Sequence, residues 1–374
     1  MKYDFLVVGA GLFGSTFARK ITDYGYSCLV IDKKPHIAGT AYDEKIENII
    51  TSKYGAHIFH TNNKEIWQFV NQYSNFIPFV NKPKVKINNS IFSFPINLFT
   101  LHQIFKTITP KDAIKKLEEI QVKIKKPTNF EEWYLSKVGK KIYKMFFYHY
   151  TKKQWQRDPK LLPLSIAQRL PLRLTYDENY FNTDYQGMPE NGYSKLIENM
   201  LEKIDVDLNC DFFVNRSKYE KIARKIIFTG TIDSFFNYEL GELEYSSLQF
   251  KTKIYKGDYQ GTAVINHCDE QTPYLRSIEH KHFYKSIYQK NKFFDKSNTN
   301  KTVVTFDYPV KFSKLFEPYY PIRDKQNSAL YQKYYKLSKK TNVIFGGRLG
   351  QYSYFDMDQT IASAIQKSSL FLNK

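Results

Sequence analysis

Short apolar runs and helix-compatible stretches alternate at the start of the chain. Residues 5–8, Phe-Leu-Val-Val, form an unbroken apolar run, as expected of a parallel strand buried on both faces. Residues 15–24 carry a helical pattern, and residues 28–31 form a second apolar run. Residues 63–72 read as a helix, and residues 79–94 alternate like a hairpin around Asn88-Asn89-Ser90. A long helical block follows over 98–150, broken at Thr109-Pro110 and Lys126-Pro127. Residues 161–193 are rich in Pro, Arg, Asn, Asp, Gly and Tyr, a composition that favours binding loops. Helix is predicted at 192–203, a strand at 225–228 running into Thr229-Gly230, and mainly strands over 245–306. Near the end, residues 342–349 read as a strand into a glycine turn. Asp356-Met357-Asp358 then opens a helix with Ile361 and Ile365 on one face. No internal repeat or low-complexity linker interrupts this order.

The first turn carries chemistry. Gly9, Gly11 and Gly14 have the G-x-G-x-x-G spacing directly after a strand and before a helix. One glycine permits the tight turn, one lets backbone approach a pyrophosphate, and one lets helix and strand pack closely. The helix N-terminus offers N–H groups and a positive dipole end to phosphate. Asp32 closes the second strand about 20 residues on, where an acid holds ribose hydroxyls. The small residues Ala38-Gly39 after that acid favour FAD over NAD. Because a second strand–glycine–helix unit lies at the far terminus, the dinucleotide domain must be discontinuous, built from both chain ends.

Composition narrows the rest. A chain of 374 residues has room for two or three domains. The 30 Tyr and 30 Phe predict an aromatic-rich core. The net charge of +19 comes mainly from dispersed lysines, with no arginine-rich arm and no compact nucleic-acid motif, so a solvated surface is favoured over a polyanion partner. Cys28, Cys210 and Cys268 are isolated, without metal spacing, which fits a reducing compartment. No apolar run approaches the ~20 residues of a membrane span, and the N-terminus enters a strand directly. A soluble cytoplasmic protein is expected, with no bound metal.

In Lys53-Tyr-Gly-Ala-His-Ile-Phe-His-Thr61, His57 and His60 lie shortly after Gly55, a glycine that permits close backbone approach. With this stretch the chain resembles the bacterial-type UDP-galactopyranose mutases over nearly its whole length. Further carriers are Val7 to Gly14, Tyr150-Thr-Lys-Lys-Gln-Trp155, Arg169-Leu-Pro-Leu-Arg173, Asn179-Tyr-Phe181 and Tyr185-Gln-Gly187. The series continues with Gly241 to Tyr245, Glu279-His-Lys-His-Phe283, Glu317-Pro-Tyr-Tyr-Pro321 and Gly346-Gly-Arg-Leu349.

The resemblance implies an α/β protein with a discontinuous Rossmann-like FAD-binding domain (1–78, 191–236, 322–374). It adds an inserted helical domain (98–170, with a mobile substrate loop at about 161–173) and an antiparallel β-sheet domain (79–97, 171–190, 237–321). It implies redox-neutral ring contraction interconverting UDP-galactopyranose and UDP-galactofuranose, in which N5 of reduced FAD attacks the anomeric carbon with loss of UDP. A modified UDP-hexose, N-acetylated or deoxy, is the alternative substrate, and a flavin oxidoreductase a further reading. By resemblance Arg169 and Arg276 clamp the substrate pyrophosphate, since guanidinium binds phosphate bidentately. His60, Tyr319, Tyr354 and Asp356 join them in catalysis. Phe146 and Tyr150 sandwich the uracil with Trp155 nearby, and Arg173, Tyr180 and Tyr320 also bind substrate. The cofactor residues are Gly9, Gly11, Gly14, Asp32, Gly39, Thr40, Gly55, His57, Gly230, Gly347, Arg348 and Met357. A homodimer is common in the family, and an external electron donor must reduce the flavin. Family members usually have Gly-Gly-Asn where this chain has Ala38-Gly39-Thr40, Glu where it has Asp32, and Thr where it has Leu275. Thr40 and Leu275 are the departures expected to shift sugar preference.

Overall fold

A computed structural model describes residues 1–168, 170–285, 300–313 and 315–371. The chain divides into two compact units, Met1–Phe79 with Thr183–Tyr245 and Pro318–Lys374, and Val80–Asn182 with Ser246–Glu317.

The first unit is built on a five-stranded parallel sheet in the order Asp205–Asp207, Cys28–Ile31, Tyr3–Val8, Ala223–Phe228, Val343–Phe345. The central strand Tyr3–Val8 is flanked on both sides, which is why it carries an unbroken apolar run. Val8 lies opposite both Ile31 and Phe228, and Phe228 lies opposite Phe345, so segments from both chain ends share one sheet. The helix Leu12–Asp23 packs on the C-terminal helix Met357–Ser369, burying Phe13, Phe17 and Ile21 on one and Ile361 and Ala364 on the other. The discontinuity expected from the two strand–glycine–helix units is therefore real. Much of the aromatic content is core: Phe212, Phe228, Phe235, Phe236 and Phe345 form a chain of ring contacts. A hairpin, Asp43–Ile46 with Ile49–Ser52, turns through Glu47 and Asn48, both at positive φ. A small antiparallel sheet joins Phe59–Thr61, Tyr185–Pro189 and Phe76–Pro78.

In the second unit the strands run in the order Tyr245–Lys256, Lys301–Lys311, Arg276–Glu279, Val264–His267, Lys84–Ile87, Ser90–Ser93. Their pairings are antiparallel except that Val264–His267 runs parallel to Lys84–Ile87. Helices Leu98–Phe105, Pro110–Ile120, Phe130–Ile142 and His149–Trp155 fill the predicted helical block, with a π-helical stretch at Tyr143–Tyr148. Thr109 caps the second of them: its hydroxyl accepts from Asp112 N, and Asp112 accepts from Thr109 N. Gly139, at φ 71°, kinks the third, and a Cβ there would lie 2.2 Å from Ile120 O.

The helices and the sheet lie in one compact unit. The physical reason is shared core: Phe146 packs edge-on against Phe92 of the strand Ser90–Ser93, and His149–Trp155 packs on Lys301–Lys311. Residues 183–190, 237–245 and 318–321, grouped with the sheet from sequence, fall in the first unit. Strand pairing of Tyr185–Pro189 with Phe59–Thr61 and Phe76–Pro78 accounts for the first of these segments.

Candidate active site

The glycine turn is built by steric exclusion. Gly9 sits at φ 111°, and a Cβ on it would lie 1.9 Å from Thr229 Oγ1, whose hydroxyl donates to Val8 O at 2.8 Å. A Cβ on Gly14 would lie 1.9 Å from Gly9 O, so only glycine lets the helix start this close to the strand. Gly11 and Gly39 face each other, the Cβ position of Gly39 being 3.1 Å from Gly11 Cα. Ala38, at φ 69°, donates its N–H to Ala10 O at 2.8 Å and so ties 38–40 to the glycine turn. Asp32 is nearly buried; its Oδ2 accepts Ala10 N at 2.8 Å and its Oδ1 accepts Lys34 N at 2.9 Å. Gly11 supplies no side-chain cap to the helix Leu12–Asp23, so its first N–H groups suit an anionic partner. These features, a glycine floor, uncapped helix start and adjoining carboxylate, fit a dinucleotide.

The far end of the chain completes the cradle. The Cβ position of Gly347, at φ 73°, is 3.4 Å from Phe13 Cβ and 3.8 Å from Thr229 Cβ. Gly230 backs against the Phe228 ring. Arg348 donates to Phe355 O at 2.7 Å and Tyr319 O at 3.3 Å, and its guanidinium lies 5.0 and 5.5 Å from the rings of Tyr320 and Tyr354. Those two rings stack at 4.7 Å, while Tyr319 is buried. Asp356 precedes the helix Met357–Ser369 and donates its N–H to Gln359 Oε1 at 3.0 Å. Gly55 is at φ 90°, and His57 Nδ1 is 2.9 Å from its carbonyl. His60 lies on Phe59–Thr61, opposite Gln186. Thr40 lies in a single 3-10 turn, Gly39–Ala41.

In the second unit Arg276 begins the strand Arg276–Glu279. Its Nε and Nη2 lie 2.6 and 2.5 Å from Oδ2 of Asp307, on the neighbouring strand and directly opposite in register. Burial raises the Asp307 pKa and the guanidinium opposes that rise. Burial likewise raises the Tyr150 phenol, against the pull of Arg276, with Tyr180 also in electrostatic reach. Arg276 and Tyr180 thus both lie within electrostatic reach of Tyr150. Phe146 and Trp155 are 2% and 4% exposed, Phe146 with its ring on Phe92 and its carbonyl 3.2 Å from Cys268 Sγ. Arg173 is also buried. It binds Asn182 through Nη2, lies 3.6 Å from Asp177, and has no hydrogen-bond partner for Nη1 among the described residues. Leu275 is 1% exposed, so its departure from the family pattern sits in the core beside Arg276. Arg169 lies outside the described residues. Asp307 and Thr229 were not singled out from sequence; a lone carboxylate after the run Thr302 to Phe306 was the available signal for Asp307.

A family model for UDP-galactopyranose mutase matches residues 145–354, and one for NAD(P)-binding Rossmann-like domains matches residues 7–73. A probable UDP-galactopyranose mutase of Klebsiella pneumoniae is 40% identical, covering 99% of this chain and 95% of the relative. The chain belongs to the UDP-galactopyranose mutase family. It is accordingly an isomerase, with a Rossmann-like dinucleotide-binding domain. A dTDP-fucopyranose mutase of Escherichia coli is 38% identical, covering 98% of each chain. In fold the mutase resembles a crystal structure of reduced UDP-galactopyranose mutase with a TM-score of 0.77 at 15% identity, covering 100% of this chain and 94% of that one. Among the described residues no helix is long and apolar enough to cross a membrane.

Proposed function

We propose that this family member is a FAD-dependent mutase acting in the cytosol to interconvert UDP-galactopyranose and UDP-galactofuranose. The observation that carries the reading is the full-length likeness to the Klebsiella protein. The cradle at Gly9, Gly11, Gly14 and Asp32 and the Arg276–Asp307 pair supply groups suited to that chemistry. Reduced flavin, when bound, supplies the nucleophile toward the anomeric carbon.

The chain's own residues bind and orient. Asp32 would accept hydrogen bonds from ribose hydroxyls, and the helix Leu12–Asp23 with Arg348 would hold the cofactor pyrophosphate. Arg276 presents its guanidinium to the substrate pyrophosphate, held in place by a carboxylate that limits its rotamers. The Tyr150 phenol is protonated at neutral pH as any tyrosine is, and burial makes it harder still to ionise, so it can donate to a phosphate oxygen. His60, Tyr319, Tyr354, Asp356 and Met357 are assigned to the flavin and sugar region, and Phe146, Trp155, Arg169, Arg173, Tyr180 and Tyr320 to the nucleotide sugar. For Phe146 and Trp155 this assignment requires their rings to become accessible.

A second reading, a deoxyhexose on a dTDP carrier, is favoured by the Escherichia relative. The test is anaerobic incubation of the flavin-loaded protein, with and without dithionite, with UDP-galactofuranose or dTDP-fucofuranose, followed by chromatography. Conversion of the UDP-sugar only after reduction is expected. Conversion of the dTDP-sugar alone establishes the second reading, and no conversion of either overturns both.

A further inference from the structure

The motif Tyr150 to Trp155 contains a lysine that substrate binding leaves unused. Lys153, on the helix His149–Trp155, aims its ammonium at four backbone carbonyls of one loop. Nζ lies 2.9 Å from the oxygens of His267, Asp269 and Thr272 and 3.4 Å from that of Tyr274. Three short contacts match the three N–H donors of an ammonium, and the longer one shares a proton. Carbonyl dipoles converging on one point repel one another unless a cation sits among them, as in ion-binding carbonyl rings.

That loop joins Val264–His267 to Arg276–Glu279. Its ends are fastened to the sheet: His267 N donates to Leu275 O at 2.8 Å, Cys268 N to Lys86 O at 3.0 Å and Leu275 N to Asp307 O at 2.7 Å. Within it, Thr272 N donates to Asp269 Oδ1 at 2.8 Å. The last caged carbonyl, of Tyr274, lies two residues before Arg276. The ammonium thus sets the path by which the chain enters the strand that carries the guanidinium.

We infer that Lys153 is a positioning residue: its ammonium serves as a tethered internal cation that holds residues 267–274 and thereby places Arg276 for the substrate pyrophosphate. The inference rests on the proposed role of Arg276. It predicts that a free cation can replace the tethered one. Lys153→Ala deletes a fragment equivalent to propylammonium, whereas tetramethylammonium carries the charge but no N–H donor.

The experiment uses the flavin-loaded, reduced full-length enzyme with the sugar nucleotide it converts. Wild type, Lys153→Ala, Arg276→Ala and the double variant are assayed at fixed ionic strength, with either amine in the tens of millimolar. Expected is a loss of at least about tenfold in kcat/KM for Lys153→Ala, mostly through KM. Propylammonium should restore it and tetramethylammonium should not, and the double variant should be no worse than Arg276→Ala. Lys153→Ala within about twofold of wild type while Arg276→Ala is impaired would overturn the inference. So would losses that multiply in the double variant, or a loss that propylammonium leaves untouched. Near-wild-type activity of Arg276→Ala would instead remove the assignment of Arg276, and the role of Lys153 with it. If Lys153→Ala does not fold, Lys153→Met keeps the apolar stem; an unchanged KM in that folded variant also overturns the inference.

Discussion

Arg276 and Asp307 sit directly opposite one another on adjacent antiparallel strands, with the carboxylate wholly buried and the guanidinium a quarter exposed. The exposed part of the pair is the cation and the hidden part is the group that orients it. Arg276→Ala should lower kcat/KM by at least about 10-fold, the loss of a charge-assisted contact of roughly 1.5–3 kcal/mol. It should also lower stability by about 3 kcal/mol near neutral pH, because an unpaired buried carboxylate is left behind. The Asp307 pKa is already raised, so this penalty is absent where the carboxyl is protonated and grows as pH rises through its folded pKa. Denaturant melts of both proteins across acidic to neutral pH test this: a gap that does not narrow in acid contradicts it.

Asp32 predicts cofactor retention. Removing its carboxylate frees Ala10 N and Lys34 N and, in the role proposed for it, deletes the acceptor for ribose hydroxyls. Asp32→Ala should weaken flavin binding by at least about 10-fold, whereas Asp32→Glu should keep most of it. Flavin fluorescence titration of apoprotein reads both values, and equal affinity of wild type and Asp32→Ala would remove the residue from the site.

Gly14 predicts a steric failure rather than a chemical one. A methyl group there would meet the Gly9 carbonyl, which is backbone and cannot rotate away. Gly14→Ala should destabilise by about 1–3 kcal/mol and lower the flavin content of the purified protein. A fully flavin-loaded variant with unchanged thermal midpoint would show that the turn can open at little cost.

The cluster at the end of Arg276–Glu279 predicts a pH dependence. Asp258, Glu279 and His282 gather with His282 Nε2 at 3.2 Å from Asp258 and 3.3 Å from Glu279, and Lys281 lies 3.5 Å from both carboxylates. These three ligand-type side chains are close enough to hold a metal. Glu279, however, already accepts from Tyr259 N, Gln260 N and Thr302 Oγ1, which makes the group an ion-pair cluster. Burial pushes Glu279 up, but those hydrogen bonds and His282 outweigh it and bring it to about 2. Burial pushes His282 down, but Glu279 and Asp258 outweigh it, so the net shift is upward. A raised histidine stabilises fully below its unfolded pKa and loses that contribution as pH rises through the folded value. His282→Gln should therefore cost about 1 kcal/mol at about pH 6 and little at about pH 9. Thermal melts at the two pH values measure it, and a cost that increases with pH contradicts the ion pair.

The cradle was legible because its parts are contiguous. Gly9, Gly11, Gly14 and Asp32 lie within one strand–helix–strand passage, and the demand for glycine at position 14 comes from the Gly9 carbonyl five residues away. The second glycine unit at Gly346 and Gly347 was legible for the same reason. By contrast, the edge strand Asp205–Asp207 carries two aspartates and no apolar run. The strands Phe59–Thr61 and Phe76–Pro78 are too short to show a period. The helix Lys325–Ser338 escaped because its 14 residues are largely polar or half-exposed.

The chain's own order of apolar runs, glycines and acid determined a dinucleotide fold assembled from both termini, since local sterics and hydrophobic period act over a few residues. The resemblance added the arginines and tyrosines proposed for the site. Only the tertiary structure decided that the helices share a core with the second sheet. It alone paired Arg276 with Asp307, turned Lys153 into a cation for a loop more than a hundred residues away, and closed the Glu279 cluster. Those relationships follow from strand register and packing between distant segments, which no local pattern encodes.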